Sequence, residues 1–283
     1  MLSRKEIAFK IKPITEEDIH KDFDSLVQKV VDIRNGISGA VGDRCRIGNN
    51  VVDFFTFKER LNTRSKYNVN FYEFIERIDE FKEKKFIDNM LTYYTNVKNK
   101  NKTKNEYVVL KEVFNICIGA INIFRPLVAM EVYAQFKPTS VLDICAGWGG
   151  RCIGAAAMDI PRYTGLDINK NLQGPYKLMK KFLNTKSSTE INIHIVDAIN
   201  FSYELLPDYD MVFTSPPYHF LEKYSHNLEY ENKQYMNNHF YKPLFSRSYA
   251  YLQKGGYYIL NVNNEIYNCA CIPVLGEADM ILP

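Results

Sequence analysis

The 283-residue sequence lacks the segments that mark several large classes of protein. It has no stretch near the roughly 20 apolar residues that a membrane-spanning helix needs, and its first residues lack the apolar core of a signal peptide. Its six cysteines form no paired CxxC motifs, so we expect reduced thiols and no metal site. These absences predict a soluble, intracellular protein, in the cytoplasm or the nucleus, with no membrane partner.

Two nucleotide-binding signatures are also missing. The segment CAGWGGRC carries Cys152 where the dinucleotide fingerprint GxGxxG has its third glycine, and the chain contains no GKS or GKT for a phosphate loop. The net charge of +3 neither requires nor excludes a polyanionic partner. With 46% hydrophobic residues, 20 Tyr and 18 Phe, the composition predicts a globular protein with a substantial core.

The pattern of apolar residues predicts two regions. Residues 1–105 place apolar side chains at three- and four-residue spacing, which is typical of amphipathic helices, and we expect this region to recognise nucleic acid or a partner. Residues 106–283 alternate short apolar strands with helical segments, as right-handed βαβ units do. The predicted fold is α/β: a doubly wound, mainly parallel sheet with a helical N-terminal extension.

Two polar segments of the N-terminal region are predicted to lack regular structure. SGAVGDRCRIGNN, at residues 38–50, has the glycine and polar content of an exposed loop. KNKNKTKN, at residues 98–105, carries four lysines and no apolar residue. We expect either a mobile linker or a loop that contacts phosphates.

Glycines and aspartates follow the predicted strands of the second region. The strand VLDI, with Asp143 near its end, leads into a turn where Gly147 and Gly149 allow a sharp bend and the close approach of a ligand. An acidic residue before that turn suits a ligand that is cationic nearby. Asp167 and Asp197 end the next two strands, at the sheet edge where open α/β folds bind ligands, and could accept hydrogens from ribose hydroxyls and an adenine amino group. Either aspartate alone could instead cap a helix.

These segments, in this order, resemble a known family. VLDICAGWGGR, GLDIN, VDAIN and TSPPY are similar to the motifs of class I S-adenosylmethionine (AdoMet)-dependent methyltransferases, and more narrowly to the amino-methyltransferases that modify exocyclic nitrogens of bases. IFRPLVAMEVY resembles the family's motif beside the methionine end of the cofactor. The resemblance covers about residues 115–265 and implies a Rossmann-like sheet and AdoMet as cofactor. It implies cofactor contacts by Phe124, Arg125, Pro126, Asp143, Ala146, Gly147, Gly149, Asp167, Ile168, Asp197, Ala198 and Thr214.

The tetrapeptide Ser215, Pro216, Pro217 and Tyr218 matches the family's catalytic motif. An exocyclic amine is a poor nucleophile because its lone pair is conjugated into the ring, and fixed acceptors for its hydrogens localise that pair. Proline fixes φ and lacks an N–H, so it helps to hold a carbonyl as a rigid acceptor; the serine can supply a second one. The tyrosine can stack on a flipped base. The alternative is a strand ended by prolines, with the tyrosine in the core.

The resemblance implies a nucleic-acid partner, with DNA favoured over RNA, and the serine favours methylation of cytosine N4 over adenine N6. No insertion is large enough for a target-reading domain, so recognition is expected from the loop at residues 219–243 or from the N-terminal helices. The alternatives are an ordinary lid for the loop, and a solvated helix face or packing against the catalytic domain for the helices. The candidate contacts are His219, Lys223, Tyr224, His226, Tyr230, Lys233 and Tyr235 in the loop, and Lys58, Arg60, Arg64 and Lys66 in the helices.

The end of the chain departs from the family pattern. About twenty residues follow the last predicted strand, GGYYILNVN, enough for one more short strand but not for the family's usual antiparallel pair. We expect either a truncated chain or an exposed sheet edge that a homodimer or partner subunit covers. Two other functions stay open: methylation of an RNA base or a protein amide, and a non-catalytic methyltransferase-like subunit.

Overall fold

The computed structural model describes residues 2–37, 45–220, 222–223 and 230–282. The N-terminal region is helical, and its helices begin at capping side chains. Thr15 accepts from the Asp18 amide while the Asp18 carboxylate accepts from the Thr15 amide, which fixes the start of a 19-residue helix. The helices are α1 (Arg4–Ile11), α2 (Glu16–Arg34), α3 (Asn49–Asn62), α4 (Phe71–Glu76), α5 (Ile78–Lys82), α6 (Lys85–Tyr93) and α7 (Glu106–Phe114), with π-helical turns at Tyr94–Lys98 and Asn115–Gly119.

The strands form two sheets within the described residues. In chain order they are β1 (Arg64–Ser65), β2 (Ser140–Asp143), β3 (Arg162–Asp167), β4 (Glu190–Ile195), β5 (Tyr209–Thr214), β6 (Glu222–Lys223) and β7 (Leu252–Leu260). β1 and β6 pair antiparallel. The other five are all parallel, in the order β4-β3-β2-β5-β7. The predicted α/β class and parallel sheet are confirmed.

The strand order indicates that the crevice where an open α/β sheet binds ligands lies next to β2. The chain runs outward from β2 through β3 to β4 and then returns to β5 on the other side of β2. At such a reversal the loops after two adjacent strands diverge and open a crevice at their carboxyl ends. The loops after β2 and β5 carry the glycine turn and the tetrapeptide, so both motifs meet at this crevice.

Both faces of the sheet are covered, because neighbouring strand residues belong to different cores. Val141 and Met211 lie in one buried cluster and Leu142 and Val212 in another, as the alternation of side chains along a strand requires. The helices of this part are α8 (Pro126–Phe136), α9 (Gly150–Ala157), α10 (Gln173–Leu183), α11 (Lys233–Met236), α12 (Lys242–Tyr249), α13 (Asn264–Ile266) and α14 (Ile272–Leu275), with 3-10 turns at Lys170–Leu172 and Tyr203–Leu205 and π-helical turns at Asn237–Tyr241 and Tyr267–Cys271.

The N-terminal helices share a core with the sheet. Phe23 and Leu26 of α2 are fully buried in the same cluster as Met130 and Tyr133 of α8. The predicted boundary at residue 105 therefore does not coincide with a division of the hydrophobic core. Other residues of this region, from α1 and α3 as well as from the later helices, form a separate cluster around Phe71, Phe74 and Phe114.

The two predicted N-terminal loops have different outcomes. Residues 38–44 lie outside the described residues, and α3 already begins at Asn49. The lysine-rich segment is a closed turn: the Asn99 side chain donates to the Lys104 carbonyl at 2.8 Å and accepts from its amide at 2.9 Å. Lys104 also pairs with Glu112 of α7 at 2.6 Å. The segment is thus tied to α7 rather than extended as a linker.

The described chain after β7 is helical, in α13, the turn at Tyr267–Cys271 and α14, where the sequence left room for a short strand. β7 pairs with β5 and forms an edge of the sheet among the described strands. Of the helices in the described ranges, none combines the length and the apolar character that crossing a membrane requires.

Candidate active site at the carboxyl edge of the sheet

A cavity of about 630 Å³ lies where β2, β3, β4 and β5 end. This volume is in the range of small-molecule sites. Eleven of the predicted residues line it: Phe124, Ala146, Gly147, Asp167, Ile168, Asp197, Ala198, Ser215, Pro216, Pro217 and Tyr218. The other five, Arg125, Pro126, Asp143, Gly149 and Thr214, are not among its lining residues, and Arg125 instead lines a second cavity.

The glycine turn is built by close backbone packing. Gly147 and Gly149 have φ of +59° and +83°, in the left-handed region that suits glycine, and α9 starts directly after them. A Cβ on Gly150 would lie 1.9 Å from the Phe124 carbonyl oxygen. Because glycine at position 150 leaves room for the Phe124 carbonyl, the segment before α8 packs closely against the turn, and Phe124 lines the cavity.

Asp143 differs from its predicted role. Its carboxylate is fully buried and accepts from Arg151 Nε at 2.7 Å and from the Tyr163 hydroxyl at 2.6 Å. Arg151 also donates to the Cys145 carbonyl at 2.5 Å. A buried carboxylate needs such a partner, so Asp143 holds the turn through Arg151 and does not face a cationic ligand.

Asp167 joins the second strand to the glycine turn. One carboxylate oxygen accepts from the Gly147 amide at 2.7 Å and from the Tyr176 hydroxyl at 3.2 Å, and the other accepts from the Asn169 amide at 2.8 Å. Burial raises the pKa of Asp167 to about 6, and these hydrogen bonds limit the rise. The group can change its charge near neutral pH while it lines the cavity.

Asp197 both caps a turn and lines the cavity. It accepts from the Ile199 amide at 2.9 Å and from the Asn200 side chain at 2.7 Å. The helix-cap alternative therefore describes part of its role. Between the two aspartates the wall is apolar, with Leu172, Val196 and Ile199.

The acceptors and apolar surface at this end fit a nucleoside. Carboxylates accept hydrogens from ribose hydroxyls and from an exocyclic amine, and apolar side chains suit the faces of a base. The adenosine part of AdoMet has these features. Since Asp143 is paired internally, any ligand at the glycine turn meets backbone and Phe124 rather than a free carboxylate.

The tetrapeptide forms a polar cluster with the end of β7. Ser215 Oγ lies 3.3 Å from the Tyr218 hydroxyl and accepts from Asn261 Nδ2 at 3.1 Å. The Asn261 carbonyl accepts from the Tyr218 hydroxyl at 3.2 Å and from the Ser215 hydroxyl at 3.4 Å. Asn261 is held in turn by a backbone bond from its amide to the Thr214 carbonyl at 3.0 Å. The adjacent ends of β5 and β7 thus fix the serine.

Tyr241 holds the other side of the tetrapeptide. This residue is fully buried; its hydroxyl donates to the Pro217 carbonyl at 2.5 Å and accepts from the His219 amide at 2.8 Å. His219 has a φ of +40° and a buried ring, whose Nε2 lies 3.0 Å from Asn237 Oδ1. The backbone on both sides of Tyr218 is therefore anchored to the helical layer.

The predicted recognition residues of the loop are dispersed. Tyr230 lines the cavity, whereas Lys233 pairs with Glu265 at 2.6 Å and Tyr235 stacks on His239 at 3.8 Å. Lys223 lies in β6, opposite Arg64 in the register of that ladder. Tyr224 and His226 lie outside the described residues.

The predicted basic residues of the N-terminal helices are also divided. Lys66 lines the cavity. Arg60 pairs with Asp53, Arg64 pairs with Glu73, and Lys58 pairs with Glu59 at 3.4 Å. Lys66 is thus the member of this group that the structure places at the site.

Sequence reasoning missed three residues that shape the site. Asn261 follows the last strand, and the strand-end rule that found Asp167 and Asp197 would also have found it. Arg151 follows the glycines, but only the structure shows that it pairs with Asp143. Tyr241 has no signal beyond being one aromatic in an aromatic-rich segment.

Comparisons with known proteins add little. No protein-family model and no curated protein matches the chain. Among solved structures, it is similar to the methyltransferase subunit of a type I restriction-modification system from Streptococcus thermophilus, at 11% identity and a TM-score of 0.34, over 91% of this chain and 73% of that one. A similarity this weak supports no inference.

Proposed function

We propose that the protein is an AdoMet-dependent methyltransferase that transfers a methyl group to an exocyclic amino nitrogen of a DNA base, with N4 of cytosine favoured over N6 of adenine. One observation carries the proposal: a single cavity has the strand-end aspartates at one end and the tetrapeptide at the other. Methyl transfer requires donor and acceptor to be held in line in one shielded space.

We assign the cofactor to the aspartate end. Asp167 would accept from the ribose hydroxyls and Asp197 from the adenine amino group. Bound AdoMet supplies an electrophilic methyl group on its sulfonium. The other proposed contacts are Phe124, Ala146, Gly147, Ile168 and Ala198. Supporting roles outside the cavity lining go to Arg125, Pro126, Asp143, Gly149 and Thr214.

The tetrapeptide would activate the amine. Ser215 Oγ is fixed by Asn261 and can accept one amine hydrogen. Tyr241 already occupies the Pro217 carbonyl, so the Pro216 carbonyl is the proposed second acceptor. Drawing both hydrogens toward fixed oxygens localises the nitrogen lone pair for attack. Tyr218 would stack on a base that has left its helix.

The choice of base rests on the neutral serine at the first position of the tetrapeptide, through the family resemblance. Lys66 and Tyr230 are far apart in the sequence but line the same cavity. A cation and an aromatic ring there suit a nucleotide substrate.

The test is to identify the methylated product. The protein is incubated with labelled AdoMet and unmodified DNA, with RNA in parallel, and the nucleosides are then resolved by mass spectrometry. Label in N4-methylcytosine of DNA is the expected result, and the Ser215→Ala variant should give none. Label in N6-methyladenine would correct the base, and label only in RNA would correct the substrate. No label in any substrate, with AdoMet bound, would favour a non-catalytic subunit.

A further inference from the structure

A second cavity, of about 680 Å³, adjoins the first. Ala120, Asn122 and Ile123 line both, so this short segment is a shared wall. The rest of the second cavity comes from the end of α1, from α3 and from α7. The tetrapeptide and the strand-end aspartates do not belong to its described lining.

This cavity carries an excess of positive charge. Its lining holds one carboxylate, Asp53, and five basic side chains: Lys12, Arg46, Arg60, Lys111 and Arg125. Asp53 is 3% exposed and pairs with both Lys12 and Arg60. One carboxylate among five basic side chains leaves an excess of positive charge in the lining.

The basic side chains are shielded from water to different extents: 40% of the Lys12 side chain is exposed and Lys111 is half-buried, whereas Arg60 is enclosed by protein. Arg60 is only 8% exposed. Burial, followed by the nearby charges of Arg60 and Lys12, lowers the pKa of Lys111 to about 7. Crowded cations away from water are costly unless an anion compensates them. Amide groups of Asn115 and Asn122 also line the space and can donate hydrogen bonds.

The neighbouring first cavity indicates which anion belongs here. In a nucleic acid every base has a phosphate next to it, so a strand whose base enters the first cavity brings a phosphate to the adjoining surface. Phosphates in protein complexes are commonly held by lysine and arginine together with polar side chains. The charge, the amides and the shared wall all suit such a group.

We propose that the second cavity binds a backbone phosphate of the nucleic-acid substrate, an inference that rests on the proposed function. Lys111 is the central contact, with Lys12 and Arg60 beside it. The cavity would then fix the strand on one side of the wall while the target base occupies the other side.

Lys111→Met is the informative variant. The Lys111 ammonium lies 5.3 Å from the Phe114 ring centre and 5.9 Å from that of Phe71, and methionine keeps apolar contact with such rings. The change removes a cation crowded by Arg60 and Lys12 and leaves Asp53 with its partners, but it also removes the hydrogen bond from Lys111 to Asn115 Oδ1, so Tm should change little. Lys85→Gln, at an exposed lysine of α6, is the matched control.

Binding of a single-stranded oligonucleotide is measured by fluorescence anisotropy over a range of salt concentrations, and AdoMet binding by calorimetry. We expect Lys111→Met to weaken oligonucleotide binding about tenfold and to reduce the slope of log K against log salt by about 0.7. The AdoMet affinity of Lys111→Met should equal that of wild type. The Lys85→Gln control should match wild type in both oligonucleotide and AdoMet binding. An unchanged slope and affinity for Lys111→Met would overturn the proposal.

Two small probes distinguish a free phosphate from a nucleic-acid phosphate as the ligand of this cavity. Inorganic phosphate and dCMP are tested for stabilisation of wild type and Lys111→Met in thermal unfolding. If Lys111 is needed for stabilisation by these probes but has no effect on oligonucleotides, the site binds free phosphates and the nucleic-acid assignment is wrong. If wild type binds oligonucleotides through Lys111 yet methylates none, the phosphate site stands and the proposed activity fails.

Discussion

The Tyr241 hydroxyl donates a hydrogen bond to the Pro217 carbonyl at 2.5 Å, from a helical layer to the middle of the tetrapeptide. The Tyr241 hydroxyl oxygen also accepts from the amide of His219, two residues after Pro217. One buried phenol therefore sets the direction of the chain on both sides of Tyr218. It acts as a positioning residue rather than as a catalytic one.

Tyr241→Phe should lower kcat by about tenfold to a hundredfold while KM for AdoMet stays near the wild-type value, because the tetrapeptide is misplaced but the aspartate end is intact. Leaving two backbone groups without their partner should also cost about 1–3 kcal/mol of unfolding free energy. Steady-state kinetics and urea unfolding measure the two effects. A parallel loss of AdoMet affinity would contradict the positioning role.

Ser215→Ala should reduce turnover by at least about a hundredfold, the size of effect seen when one preorganised polar contact is removed from a reacting group. AdoMet binding should persist, as it should for Tyr218→Ala. Single-turnover transfer and calorimetry measure the two properties. Ser246→Ala, at an exposed serine of α12, is the control and should leave both unchanged. Loss of AdoMet binding in Ser215→Ala would reject the assigned role.

The raised pKa of Asp167 predicts how cofactor binding depends on pH. The ionised carboxylate is a stronger acceptor for ribose hydrogens than the protonated acid, in which one oxygen becomes a donor. AdoMet affinity should therefore be flat above about pH 7 and fall below about pH 6, by at most about tenfold per pH unit. Calorimetric titration across this range is the measurement. Asp167→Asn should bind weakly and lose this dependence; an unchanged pH profile in that variant would show that another group is responsible.

The raised pKa of Asp167 also determines how the stability of the ligand-free protein changes with pH. Because the folded pKa of about 6 exceeds the ordinary value of 3.8, the unfolded chain releases this proton first as pH rises. The contribution of Asp167 to the free energy of unfolding therefore decreases between about pH 4 and pH 6. The difference between wild type and Asp167→Asn in urea unfolding over this range isolates it.

Two glycines in helices should respond in opposite ways to alanine. Gly150→Ala would place a methyl group 1.9 Å from the Phe124 carbonyl oxygen, so we expect a loss of about 1–3 kcal/mol of stability and weaker AdoMet binding as Phe124 moves. Gly174→Ala, in α10, meets no atom within 4 Å and should stabilise by about 0.5–1 kcal/mol. Equal Tm values for the two variants would contradict the close packing of the turn.

The sequence predicted the features that follow from local pattern. The strands before Gly147, Asp167, Asp197 and Ser215 are short apolar runs that end in turn residues, so the α/β class and the parallel sheet could be inferred. Strand order is not a local property, but the rule that open sheets bind ligands at the carboxyl ends of strands was enough to gather the four motifs.

What the sequence did not give depends on contacts between distant residues. Asp143 could not be identified as a buried ion-pair partner without knowing that Arg151, the second residue of α9, pairs with it. The shared core of α2 and α8 likewise depends on tertiary packing, since each helix alone shows only an apolar stripe. The boundary predicted at residue 105 follows a change in the apolar pattern of the sequence, and α2 and α8 share a hydrophobic core across it.

Asn261 meets Ser215 only because β7 pairs with β5, across 46 residues of sequence. A chain emerging from the ribosome can complete β2, β3 and β4, with their aspartates, before β7 exists. The nucleoside end of the cavity can therefore be in place while the serine still lacks the partner that orients it. Under the proposed function, the residues of the cofactor end are therefore synthesised before the residue that orients the serine.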